Sequence, residues 1–199
     1  NVPVFLNLEH GHNDPEIMEK YVSRAAICQA VTDAAQIGNK SAMLSTAKKL
    51  LKAGIETAII TMASRGCMVV QGDEIVRVHA PKFRAVDGSG AGATFSSGFI
   101  YGYLKKWKLE ETVRFAIAAA SLKVTRSGLK MFPVRQIKEL AATLEVERMV
   151  YRDNQFFEIG KILSQAQRNP LVKSSAKLAQ QFLPKKKVVR KKIKRSLVE

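Results

Sequence analysis

Between Asp87 and Thr94 the chain reads Asp87-Gly88-Ser89-Gly90-Ala91-Gly92-Ala93-Thr94 and runs directly into an apolar helical stretch. Small residues at such a junction let several backbone N–H groups turn toward one point, and the positive end of the helix dipole adds to the field there. The ligand class this arrangement suits is an anion, phosphate above all. A glycine-rich turn can also serve only to fit a tight corner, so its surroundings decide. A second polar cluster, Glu9-His10-Gly11-His12-Asn13-Asp14, follows the first apolar run. His10, His12 and Asp14 carry metal-ligating atoms, but no distant third or fourth ligand is evident, and a loop capped by Asn13 or Asp14 ahead of Pro15 accounts for the same residues. No metal site is assigned. Cys28 and Cys67 have no C-x-x-C partner and lie in apolar, strand-like contexts, as buried thiols of a reducing intracellular compartment would.

The elements that carry these residues follow a rhythm. Val2 to Leu8, Ala26 to Val31 and Thr57 to Met62 are short, continuously apolar runs, the mark of strands covered on both faces. Pro15 to Arg24 and Ser41 to Ala53 read as intervening helices, the second with Met43, Leu44, Ala47, Leu50 and Leu51 on one face and Gly54 as its stop. This is an α/β fold with a mostly parallel sheet and helices on both faces. Gly72-Asp73 between two apolar runs adds a β-hairpin, expected at the sheet edge. Two helices follow the glycine-rich loop, to about Lys105 and from Leu109 to Val124, with Gly98, Gly102, Ala116 and Ala118 to Ala120 allowing close packing. Ile137, Leu140, Ala141 and Leu144 mark a closing helix. Residues 1–150 form one domain, and residues 151–199 are an extension with helices expected around Phe156 to Leu163 and Leu178 to Phe182.

Three segments resemble the C-terminal half of the ribokinase-like, or PfkB, carbohydrate kinases: V-D-G-S-G-A-G-A-T-F, F-A-I-A-A-A-S-L-K-V-T-R, and G-L-K-M-F-P. The resemblance covers about residues 1 to 148 and implies the ribokinase-like fold, ATP and Mg²⁺ as cofactors, and phosphoryl transfer to a sugar-type hydroxyl. Against the family motif D-T-x-G-A-G-D, Asp87 supports the loop and Gly90, Ala91 and Gly92 supply the anion hole. The final Asp, the base toward the substrate hydroxyl, is here Ala93. A methyl group accepts no proton, and losing a general base costs about 10²–10⁴ in rate. The nucleotide-side pattern T-x-G-x-x-G appears as Thr61 to Gly66 with Ala63 in place of its first glycine, Ile117 stands where many members carry Asn, and N-x-x-E is absent around Val31 to Ala35. One change from G-A-G-D-T-F produces G-A-G-A-T-F, whether by natural loss or by design; Ala63 and Ile117 favour natural loss. The family's sugar-contacting N-terminal half has no counterpart here, and the chain reads as a fragment or trimmed product.

The formal charge is +16, and half of the excess lies in eleven residues, 185 to 195, which hold eight Lys or Arg and no acid. Lys185, Lys186, Lys187, Arg190, Lys191 and Lys192 form either a solvated tail or a contact for nucleic acid or an acidic protein. No run approaches the roughly 18 apolar residues of a membrane span. Two functions therefore stand against each other: a sugar kinase impaired at Ala93, or a non-catalytic scaffold in a larger, organellar nucleic-acid complex that uses its basic tail.

Overall fold

The computed structural model describes residues 2–32, 39–128, 130, 132–152 and 155–159. Its sheet has seven strands in sequence order: β1 (Phe5–Glu9), β2 (Ile27–Val31), β3 (Thr57–Thr61), β4 (Cys67–Gln71), β5 (Glu74–Val78), β6 (Val146–Arg152) and β7 (Gln155–Glu158). β1, β2 and β3 run parallel, and each pair from β3 to β7 is antiparallel. The helices are α1 (Pro15–Lys20), α2 (Lys40–Lys52), α3 (Ala91–Leu104), α4 (Leu109–Lys123) and α5 (Val134–Thr143).

Alternate residues of the central strands serve two cores. Cys28, Ala30, Ala58, Ile60, Met68 and Val70 pack with Met43, Leu44, Ala47 and Leu50 of α2. Ile27, Ile59, Val69, Val76 and Val78 pack on the other face with Phe95, Phe99, Val113, Ala116 and Ile137 from α3, α4 and α5. The α/β class with helices on both faces holds. The small residues between α3 and α4 act as expected, for a Cβ on Gly98 would come within 2.9 Å of Ala116 Cα. Asp14 caps α1 by accepting the amides of Glu16 and Ile17, and Asn39 caps α2 by accepting that of Ala42.

Two expectations are corrected by the far side of the sheet. The Cys67–Val78 hairpin lies inside the sheet, because β6 pairs with β5 from Glu74↔Val150 to Val78↔Val146 and β7 follows. The helix expected from Phe156 gives way at Gln155–Glu158 to a strand paired with β6. A short apolar run does not distinguish helix from buried strand by periodicity, and here the pairing edge of β6 decides. The segment Leu178 to Phe182 and the basic tail lie outside the described residues.

Candidate phosphate-binding site

Helix α3 opens at Gly90, which caps it in the left-handed region at φ 75°. Helix geometry leaves the first-turn amides without intrahelical acceptors. That of Ala91 is taken by the Gly88 carbonyl at 3.2 Å, and Gly92 and Ala93 are exposed at the helix mouth. Thr94 turns its Oγ1 back to the Gly90 carbonyl at 2.9 Å, closing the first turn. One turn on, Ser96 donates to Oε1 of Gln29, a residue of β2 only 1% exposed, and so ties the helix start to the sheet.

The loop before the helix is built around Asp87. Its Oδ1 accepts the Ser89 amide at 2.9 Å, and its Oδ2 accepts the Gly128 amide at 3.1 Å and the Lys123 ammonium at 3.0 Å. Lys123 also donates to the Asp87 carbonyl at 3.0 Å, and the amides of Val86 and Asp87 both reach the Val124 carbonyl. The Ser89 amide first, and then the Lys123 ammonium, hold the Asp87 carboxyl well below the usual carboxylate range. Asp87 thus joins the loop at Ser89 to the end of α4 at Lys123 and to Gly128. Lys123, Gln29 and Ser96 were not among the sequence candidates. Lys123 had a signal: Phe115, Ala119 and Lys123 recur at i, i+4, i+8, so one face of an apolar helix ends in a charge.

Beside the helix mouth lies a cavity of about 470 Å³ between α3, α4 and α5. Gly90, Ala93, Thr94 and Ser97 line it from α3 and its cap, with Lys123, Lys130, Tyr101 and Phe132 among its other walls. Gly90 and Ala93 are therefore brought together at one opening. Ile117 is not: it is buried in the sheet-facing core, so its difference from the family pattern does not touch this cavity.

The loop from Thr61 to Gly66 leaves the carboxyl end of β3. Thr61 Oγ1 donates to the Ala30 carbonyl at 3.2 Å, and the Met62 amide bonds the Gly66 carbonyl at 2.8 Å. Gly66 sits at φ 90°, where a Cβ would fall 1.9 Å from the Val78 carbonyl oxygen, so no other residue fits. Ala63 keeps a φ of 47°, a glycine-like backbone carried by an alanine.

Elsewhere the candidates are structural. His12 is buried with Nδ1 at 3.2 Å from the Glu9 carbonyl, and Asp14 is spent on its cap. Among the described residues no group of three or more His, Cys, Asp or Glu side chains gathers. Burial pushes the Cys28 thiol up to about 12 and that of Cys67 higher still, which makes both inert at neutral pH. Tyr101 and Trp107 pack edge to face at 5.5 Å, and both pack on Phe115. Among the described residues no helix is long and apolar enough to cross a membrane.

Comparison with known proteins extends these observations. Residues 26–135, which hold the loop, α3, α4 and the start of α5, match the pfkB family carbohydrate kinase model. An uncharacterized sugar kinase of Archaeoglobus fulgidus is 34% identical over 86 residues, 43% of this chain and 34% of its own. A ribokinase of Haemophilus influenzae is 29% identical over 102 residues, 51% of this chain and 33% of its own. This chain thus spans about a third of these relatives' length. Among solved structures, Arabidopsis thaliana ribokinase, complexed with ribose and ATP, superposes with a TM-score of 0.60 at 24% identity over 70% of this chain and 47% of its own. A ribokinase-family nucleoside kinase of Methanocaldococcus jannaschii gives 0.60 at 19% identity over 71% of this chain and 48% of its own. The glycine-rich helix mouth, the sheet that carries it and the extent of the family match agree, and the chain belongs to the pfkB family of carbohydrate kinases.

Proposed function

We propose that this chain binds the phosphates of ATP at the first turn of α3 and belongs to a sugar-kinase-like protein whose phosphoryl transfer is impaired at Ala93. The observation that carries the reading is the juxtaposition of Gly90 and Ala93 at the mouth of a cavity of about 470 Å³, within the usual range of about 300–1,000 Å³ for small-molecule pockets. ATP would supply the transferable γ-phosphoryl group. The first turn of α3 would hold and orient its charge, with Gly90, Ala91 and Gly92 as the anion hole and the Asp87 loop keeping that turn in place. Thr61 and Gly66 would flank the nucleotide from β3. At position 93 a carboxylate would accept the acceptor hydroxyl's proton, and the methyl group present cannot.

The described residues do not build a Mg²⁺ site. Both Asp87 oxygens are engaged by Ser89, Gly128 and Lys123, and no further acidic cluster gathers among those residues. A magnesium ion would arrive on the nucleotide, as such ions do when held mainly by phosphate and water.

The test is ADP release from ATP by the full-length protein, with Ala93 as it stands and as Ala93→Asp, across a panel of sugars and nucleosides, with ATP binding measured alongside by calorimetry. Turnover appearing only in Ala93→Asp, with a gain of about 10²–10⁴, is the expected result and identifies the acceptor class. ATP binding without turnover in either form leaves the scaffold reading, which Ala63 at φ 47° independently favours as a second departure at a nucleotide loop. In that reading Lys185 to Lys187 and Arg190 to Lys192 contact nucleic acid or an acidic partner. No ATP binding in either form refutes the proposal.

A further inference from the structure

Resting on the reading that the first turn of α3 holds phosphate, we infer that Lys123 is the positioning residue of that site, a buried ammonium that fixes the glycine-rich loop through Asp87. A lysine is almost never buried unless paired, and Lys123 is 2% exposed. Its Nζ makes two hydrogen bonds of 3.0 Å, to the carbonyl and to Oδ2 of one residue, Asp87. That carboxylate in turn receives the amide of Ser89, inside the loop, and that of Gly128, in the turn after α4. One ammonium and one carboxylate therefore join three pieces of chain, two of which also meet through the backbone bonds of Val86 and Asp87 to Val124.

The direction of action follows from the geometry. Lys123 shares the cavity wall with Gly90 and Ala93, but its two hydrogen bonds go to Asp87 rather than toward the first turn of the helix. It acts on a phosphate by holding the loop. A solvated surface lysine would have no such fixed geometry, and a neutral residue here would leave the Asp87 carbonyl and Oδ2 short of a donor they share.

The experiment uses the full chain and its Lys123→Met, Lys123→Ala and Asp87→Asn variants, each checked for native circular dichroism. ATP affinity is measured by calorimetry, and amide hydrogen exchange is followed at residues 86–93, with β2 and β3 as internal controls. Loss of a charge-assisted pair is expected to weaken ATP binding about tenfold or more. Exchange should accelerate at residues 86–93 while the strands stay protected. Propylammonium, the group removed in Lys123→Ala, should restore both affinity and protection to that variant and leave the wild type unchanged. Unaltered affinity and exchange in Lys123→Met overturn the inference, as does exchange that accelerates equally throughout the sheet. Should the Lys123 variants not fold, Asp87→Asn, on the outer side of the pair, decides by the same two readouts. A wild type that binds no ATP refutes the phosphate reading, and exchange at 86–93 with amine rescue then decides the role of Lys123 by itself.

Discussion

Ser96 donates its hydroxyl to Oε1 of Gln29 at 2.8 Å, and this one bond ties the first turns of α3 to the interior of β2. It also shares that hydroxyl with the Gly92 carbonyl at 3.0 Å. The N-terminal end of α3 is therefore registered against the sheet by a polar contact.

Ser96→Ala removes the donor and leaves a buried amide oxygen short of a partner. The expected loss is about 1–3 kcal/mol, read as a lower urea midpoint with an unchanged slope. A variant as stable as the wild type would show that water replaces the serine.

Ala63 holds a left-handed φ of 47° that costs an alanine roughly 1–2 kcal/mol. Ala63→Gly relieves that strain but loosens the unfolded chain by about 0.4–1 kcal/mol, so a net gain of about 0.5–1 kcal/mol is expected. Gly66→Ala is the opposite case, since its Cβ would fall 1.9 Å from a backbone oxygen. Thermal unfolding of the two variants should move in opposite directions, up for the first and sharply down for the second.

Asp87 sets an acid limit. Its folded pKa lies below the unfolded value, so its contribution is present above about pH 4, the unfolded carboxylate range, and fades as pH falls through the lower folded value. Glu147 behaves alike: burial pushes its carboxyl up, and the hydrogen bonds from Lys40 and His79 outweigh that. Asp87→Asn is expected to be less stable than the wild type at pH 7, with the gap closing below pH 4. Urea midpoints measured from pH 7 to pH 2 test this, and a gap constant with pH would remove the ionic account.

Much of this was legible from the residues themselves. Continuous apolar strands gave the α/β class, Gly72-Asp73 marked the hairpin's turn though not its place in the sheet, and Asp87 followed by small residues marked the helix mouth. What escaped was set by distant partners. β7 is a strand because β6 offers it an edge, and nothing local to Phe156 and Phe157 states that. Gln29 reads as a polar interruption in a strand until Ser96 is found beside it, 67 residues away. Ile117, singled out because many members of the family carry Asn there, is a buried core residue.

The tail from Lys185 to Arg195 makes a separate prediction. If it contacts nucleic acid, affinity should fall steeply with salt, with a slope of about −0.9 per phosphate neutralised on duplex DNA. Deleting residues 185–199 should flatten that slope in a salt titration; an unchanged slope ends this role.

Helix α4 carries two scripts written on different faces. Val113, Ala116 and Ile117 are core residues away from the cavity, whereas Phe115, Ala119 and Lys123 border it. Ligand preference can therefore drift through the second set while the first keeps the architecture, so a chain of this kind can lose a chemistry, or take up another guest, without ceasing to fold.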